Sequence, residues 1–139
     1  MDLTYLLTPL FAWTVAGSLK FFINSIKAKR LAFGLIGYGG LPSNHSAIVA
    51  STTMLIALKE GIAHPAFGVA ITLSFIVILD ASSLREQVGR QASRINSITN
   101  GSVLGEPKLR ERMGHTPIEI LAGVATGIAV AYAATTVGL

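Results

Sequence analysis

Gly39-Gly40-Leu41-Pro42-Ser43-Asn44-His45-Ser46 stands between a basic loop and a long apolar run. Two glycines let the backbone turn sharply and approach a ligand closely. Pro42 is suited to open a helix, because its missing N–H is not needed in the first turn. The turn that follows then offers free backbone N–H groups and the positive end of a helix dipole, where an anion is favoured. Ser43 adds a hydroxyl, and His45 can carry or release a proton near neutral pH. An ordinary helix start with a serine cap satisfies the same eight residues, so the octapeptide needs its surroundings.

Composition supplies them. Hydrophobic residues make up 51% of the 139-residue chain and charged residues 13%, against about 25% charged in soluble domains. The mean hydropathy is +0.60. This is one domain's worth of chain, residues 1–139, with apolar stretches too long for a soluble core of that size. No cysteine is present, which excludes disulfides, thiolate metal sites and cysteine nucleophiles. The net charge of +4 arises from loops between apolar runs, which suits anionic lipid headgroups and not nucleic acid.

Four apolar segments read as membrane spans near the roughly 20 residues that a crossing needs. They run from about Leu3 to Ile26, Ser46 to Leu58, Pro65 to Leu79, and Ile118 to Val137, the second and third being short. The expected fold is an all-α, polytopic membrane bundle of about four transmembrane helices. Lys59 to Pro65 reads as a tight turn. Every Lys and Arg except Lys59 lies in, or next to, the first and third loops. The positive-inside rule places those loops in the cytoplasm and both termini outside. Pro42 to His45, Asp80 with Arg85, and His115 then converge on one cytoplasmic face.

Span three is expected to continue past the bilayer as an amphipathic helix, since charges from Asp80 to Asn96 recur at helical spacing without a proline. Asp80 at a span's end needs a partner, and Arg85 or a first-loop lysine can supply one. Arg90 is a candidate supporting residue, while Arg94 suits a solvated face. From Ser97 to Met113 the pattern lapses into Gly, Ser, Pro and mixed charges, which reads as a mobile loop. Gly114-His115-Thr116-Pro117-Ile118-Glu119 follows, a second helix entrance beside a histidine. Glu119, one turn beyond His115, can hold the imidazole in one tautomer. An oriented neutral imidazole is a competent nucleophile towards phosphorus, and a second imidazole can protonate the leaving oxygen.

These three blocks resemble the divergent PAP2 proteins, relatives of acid phosphatases and vanadium-dependent haloperoxidases. The resemblance runs from about Leu19 to Gly127, with the blocks in the family's order. It implies that Ser43 and His45 match a Pro-Ser-Gly-His block, with Asn44 where the wider superfamily has Gly. It also implies that His115 is the nucleophile and that Glu119 replaces an orienting Asp. The superfamily's Lys-Arg-Pro block has only partial counterparts in Lys20, Lys27 and Arg30 (Lys29 is the other basic residue there). Leu109-Arg110 stands where a Ser-Arg pair is expected, and Arg85 is the replacement from span three. Two functions follow. One is a metal-independent lipid-phosphate or diphosphate phosphatase working through a phosphohistidine, with phosphatidylglycerophosphate, phosphatidate and polyprenyl diphosphates all fitting. The other is a non-catalytic membrane protein that binds anionic headgroups as a scaffold. No cofactor is expected, and Asp80, Glu119, His45 and His115 lack metal-ligand spacing. Expected partners are membrane lipids and further copies of the chain. The pair Gly123 and Gly127 suits close helix contact in lipid. Two glycosylation patterns, at Asn44 and Asn100, fall on the expected cytoplasmic side.

Overall fold

A computed structural model describes residues 3–31, 33, 40–99 and 107–137. Among them the chain forms five α-helices and no strand: α1 Thr4–Ala28, α2 Asn44–Lys59, α3 Pro65–Leu79, α4 Arg85–Ile98 and α5 Pro117–Val137. A π-helical turn, Asp80–Leu84, joins α3 to α4 without a break. The chain is a helical membrane bundle, as its composition implies.

Many large side chains face outward and most buried residues are small, with Leu55, Val49 and Ile56 the larger buried ones. Trp13, Phe22 and Phe75 are 55%, 64% and 64% exposed, whereas Ala12, Ala16 and Ala47 are wholly buried. On α1 the buried residues are Thr4, Thr8, Ala12 and Ala16, one per turn on a single face. In lipid, hydrocarbon already satisfies a Leu or Phe, so helices associate through small residues that let backbones approach. Gly123 and Gly127 on α5 do this against α2. A Cβ at Gly123 would lie 2.4 Å from the Ser43 carbonyl oxygen, and one at Gly127 would lie 2.4 Å from that of Ala47. The small-residue pair thus serves a contact within the chain.

Among the described residues, three helical stretches are long and apolar enough to cross a membrane: Thr4–Ala28, the continuous Pro65–Ile98 and Pro117–Val137. The expected second span is the 16-residue α2, about 24 Å long, which falls short of a hydrocarbon core of about 30 Å. It packs against α1, α3 and α5, so protein covers most of it. The 34-residue stretch reaches about 51 Å. It exceeds the hydrocarbon core, and the apolar α3 runs on into the charged α4 as one helical stretch, the continuity that the charge pattern implies.

Local chemistry sets the ends. Lys29 adopts a left-handed conformation (φ 51°), and the Arg30 N–H donates back to the Ser25 carbonyl, closing α1. His64 caps α3, its Nδ1 accepting the Ala66 N–H at 3.2 Å, with Pro65 in the first turn. Pro42 is not the first helical residue of α2. Ser43 is the N-cap, accepting the Ser46 N–H at 3.3 Å, which puts the proline one residue earlier.

The segment 107–113 is better anchored than its composition suggests. Buried Asn96 brackets Leu109, donating to its carbonyl at 2.8 Å and accepting its N–H at 3.0 Å. Asn96 also donates to Glu111 at 2.9 Å. The Glu111 backbone lies so close to Gly89 that a Cβ there would sit 2.3 Å from its carbonyl oxygen. At the start of the expected mobile loop, Ser97 and Ile98 instead complete α4; residues 100–106 lie outside the described residues, as do 34–39.

Candidate active site

Three helix ends and one mid-helix lysine meet at one end of the bundle. The N-terminus of α2 brings Ser43, Asn44 and His45, the π-turn brings Asp80 and leads into Arg85, and the entrance to α5 brings His115 and Glu119. Backbone hydrogen bonds fix these pieces together. The Ser43 N–H donates to the Glu119 carbonyl at 2.9 Å, and the His115 N–H donates to the Ala81 carbonyl at 2.9 Å. Gly114 turns with φ +92°, where a Cβ would press on the Glu86 amide at 3.2 Å and the Ser82 carbonyl at 3.3 Å.

The two imidazoles face each other with ring centroids 6.1 Å apart. His115 Nδ1 lies 3.1 Å from Glu119 Oε2. That carboxylate also accepts the Thr116 N–H at 3.0 Å, while Thr116 Oγ1 accepts the Glu119 N–H at 3.3 Å. This reciprocal pair is a capping box, so the bonds that start α5 also orient His115. With the carboxylate ionised, Nδ1 carries the proton and Nε2 keeps its lone pair. Burial holds the His115 imidazole below its usual value, the Glu119 bond opposes this, and the charges of Lys20 and Arg85 reinforce it.

Arg85 links the other two groups. Its Nε–H donates to Asp80 Oδ2 at 3.0 Å, and its Nη2–H reaches His45 Nε2 at 3.3 Å. Residues five apart stand about 140° apart around an α-helix. The π-turn brings the pair onto one side, in keeping with the tendency of π-turns to occur at functional sites. Sequence reading missed this turn. The signal available was a lone Asp and Arg five residues apart at the end of an apolar span.

The remaining candidates divide. Lys20 lies near enough for its charge to act on Glu119, His45 and His115. Asn44 is adjacent, with Oδ1 buried and without a hydrogen-bond partner among the described residues. Ser43 is fully buried and accepts from Ser46 N–H and, at 3.0 Å, from the Ser46 hydroxyl. It acts as a cap and pins α2 beneath α5. Lys27 and Arg30 are exposed, two turns or more past Lys20, and no described contact joins them to the imidazoles. Arg90 pairs with Glu86 at 2.6 Å on the exposed side of α4. A cleft of about 360 Å³ opens beside His115 and Glu119, with Ser82, Glu86 and Arg112 on its walls. Among the described residues no group of three or more His, Asp or Glu is placed to hold a metal ion.

The model of the Divergent PAP2 family matches residues 1–130. The chain belongs to that family. It is also similar to the uncharacterized membrane protein YuiD of Bacillus subtilis (strain 168), 32% identical over 139 aligned residues with 88% of each chain covered. No solved structure matches the chain. A Divergent PAP2 membrane protein is thereby shown, and its histidine blocks fall at one end of the bundle.

Proposed function

We propose that this Divergent PAP2 protein is a lipid-phosphate phosphatase that works through a phosphohistidine on His115. The observation that carries the reading is the facing pair of imidazoles, one oriented by Glu119 and the other touched by Arg85. His115 Nε2 attacks phosphorus, forming an N–P bond as the P–O bond to the lipid alcohol breaks. His45 gives its proton to the departing oxygen, then takes one from the water that cleaves the N–P bond. Lys20 and Arg85 offset the charge on the phosphoryl oxygens, and free N–H groups at the α2 terminus add donors. This chemistry needs no metal, because the cationic side chains supply the charge. In this proposal the site faces the cytoplasm, with the basic loops around it, and takes phosphorylated headgroups from that leaflet. Self-association belongs to the same proposal and is read by cross-linking in the membrane.

One observation favours the scaffold reading. With Lys27 and Arg30 away from the imidazoles, Lys20 and Arg85 are, among the described residues, the two cations whose charge acts on both rings. A headgroup binder with no turnover would need no more.

Phosphate release by purified protein from phosphatidate, phosphatidylglycerophosphate and polyprenyl diphosphate, with and without chelator, separates the two. The phosphatase reading expects release from at least one substrate, unchanged by chelator and abolished by His115→Ala. Release from none hands the site to the scaffold reading. Undiminished release by His115→Ala removes the nucleophile assignment.

A further inference from the structure

The four fixed charges that act on the imidazoles cancel: Lys20 and Arg85 are positive, Asp80 and Glu119 negative. Arg85 is committed to partners inside this set, at 3.0 Å from Asp80 and 3.3 Å from His45. A guanidinium only donates, so His45 Nε2 must present its lone pair, and the ring is neutral with its proton on Nδ1. That Nδ1 is buried and has no hydrogen-bond partner among the described residues, leaving Arg85 as the ring's described polar contact. In this arrangement Nε2 has no proton to give.

We propose that the site takes up a phosphoryl dianion together with one proton, gained at His45, and so discriminates dianionic from monoanionic ligands by proton uptake. The inference rests on reading the histidine pair as a phosphate site. The arriving anion accepts the Arg85 Nη2–H that His45 Nε2 held. The freed Nε2 takes a proton from solvent and donates it to an anion oxygen, poised for the leaving group. The charged and titratable groups facing His45 are Lys20 on α1, Arg85 and Asp80 at the π-turn, and His115 before α5, with Glu119 behind His115 on α5. Burial and the two cations disfavour a proton on the empty ring, and a dianion offsets both cations. A diester brings one negative charge and reverses the local field less.

Sulfate, dianionic across the neutral range, and methanesulfonate, a tetrahedral monoanion, probe this without turnover. Each is titrated calorimetrically into detergent-solubilised protein near pH 7, in buffers of different ionisation enthalpy. Sulfate should bind with uptake of about half a proton or more, tightening up to about tenfold per pH unit on acidification. His115→Gln should keep the uptake and His45→Gln should lose it. Methanesulfonate should bind about tenfold more weakly, with little uptake. Imidazole ¹⁵N spectra of the unaltered protein give the same answer independently of how the variants fold, since sulfate should convert His45 Nε2 from acceptor to protonated nitrogen. Sulfate binding without uptake, uptake that survives His45→Gln, or equal behaviour of the two anions overturns the coupling and leaves the phosphate site standing. Failure of both anions to bind overturns the coupling and the site together.

Discussion

His115 Nδ1 lies 3.1 Å from Glu119 Oε2, and the same oxygen accepts the Thr116 amide at 3.0 Å. One carboxylate thus starts α5 and orients the proposed nucleophile. Glu119→Gln keeps an acceptor for Nδ1 but loses the charge that stabilises the imidazolium form. Phosphate release should fall by about 10- to 100-fold, the scale of one charge-assisted hydrogen bond at about 1.5–3 kcal/mol. Substrate affinity should change less than turnover, and steady-state kinetics on the preferred lipid phosphate measure both.

The acid limb of the pH profile follows from the same pair. His115 must be neutral to attack, so activity is lost as pH falls through its pKa. Burial lowers that pKa, so the loss should occur below the ordinary histidine value of about 6.5. Glu119 opposes the lowering. In Glu119→Gln the limb should therefore move to still lower pH. A limb that moves to higher pH would show that Glu119 does not act on the group that titrates.

Much of this site was legible because membrane crossings return separated blocks to one end. His45, Arg85 and His115 lie tens of residues apart in sequence, and apolar run lengths with basic loops were enough to bring them together. The Asp80–Arg85 pair was legible as chemistry but not as geometry, since no pattern announces a π-turn. Ser43 is a phosphate-donor type that local capping and burial have claimed. Lys27 has plausible spacing, yet two more turns of α1 carry it away from Lys20. The 107–113 segment has loop composition, and only tertiary placement reveals that Asn96 and Gly89 receive it.

Asn96→Ala should release that segment. The substitution leaves the Leu109 N–H and carbonyl without the partner that holds them, and it removes a donor from Glu111. A cost of about 1 kcal/mol in stability is expected, the scale of ordinary hydrogen bonds, because Leu109 is exposed and water can replace the lost partner. Faster amide exchange across 107–113, with α1, α2 and α5 unaffected, would show the release. Because His115 follows this segment, turnover should drop while the helical bundle persists.

The α2–α5 contact should tolerate little added volume. At Gly127 a Cβ would lie 2.4 Å from the Ala47 carbonyl oxygen and 2.8 Å from the Ser51 nitrogen, both of them backbone. Gly127→Ala must separate the helices, at about 1–3 kcal/mol for overpacking, and Gly127→Leu should not give a folded bundle. Gly68 has nothing within 4 Å of its Cβ position. Gly68→Ala is the control, and it should be at least as stable as the unaltered protein in detergent, since Ala is the better helix former.

The last prediction concerns sidedness, which the proposed access to lipid phosphates requires. The chain has no cysteine, so single introduced cysteines report position without background. Lys108 sits on the segment beside the site and Ala63 in the turn between α2 and α3, both exposed. Replacing Lys108 removes only a surface ion pair with Glu111, worth about 0–1 kcal/mol. A membrane-impermeant maleimide should label Ala63→Cys in intact cells and Lys108→Cys only after permeabilisation. The opposite pattern would place the imidazoles outside and require an outer-leaflet substrate. Labelling of both from one side would mean that α2 and α3 do not separate these points across the bilayer, and the shared cytoplasmic face would have to be abandoned.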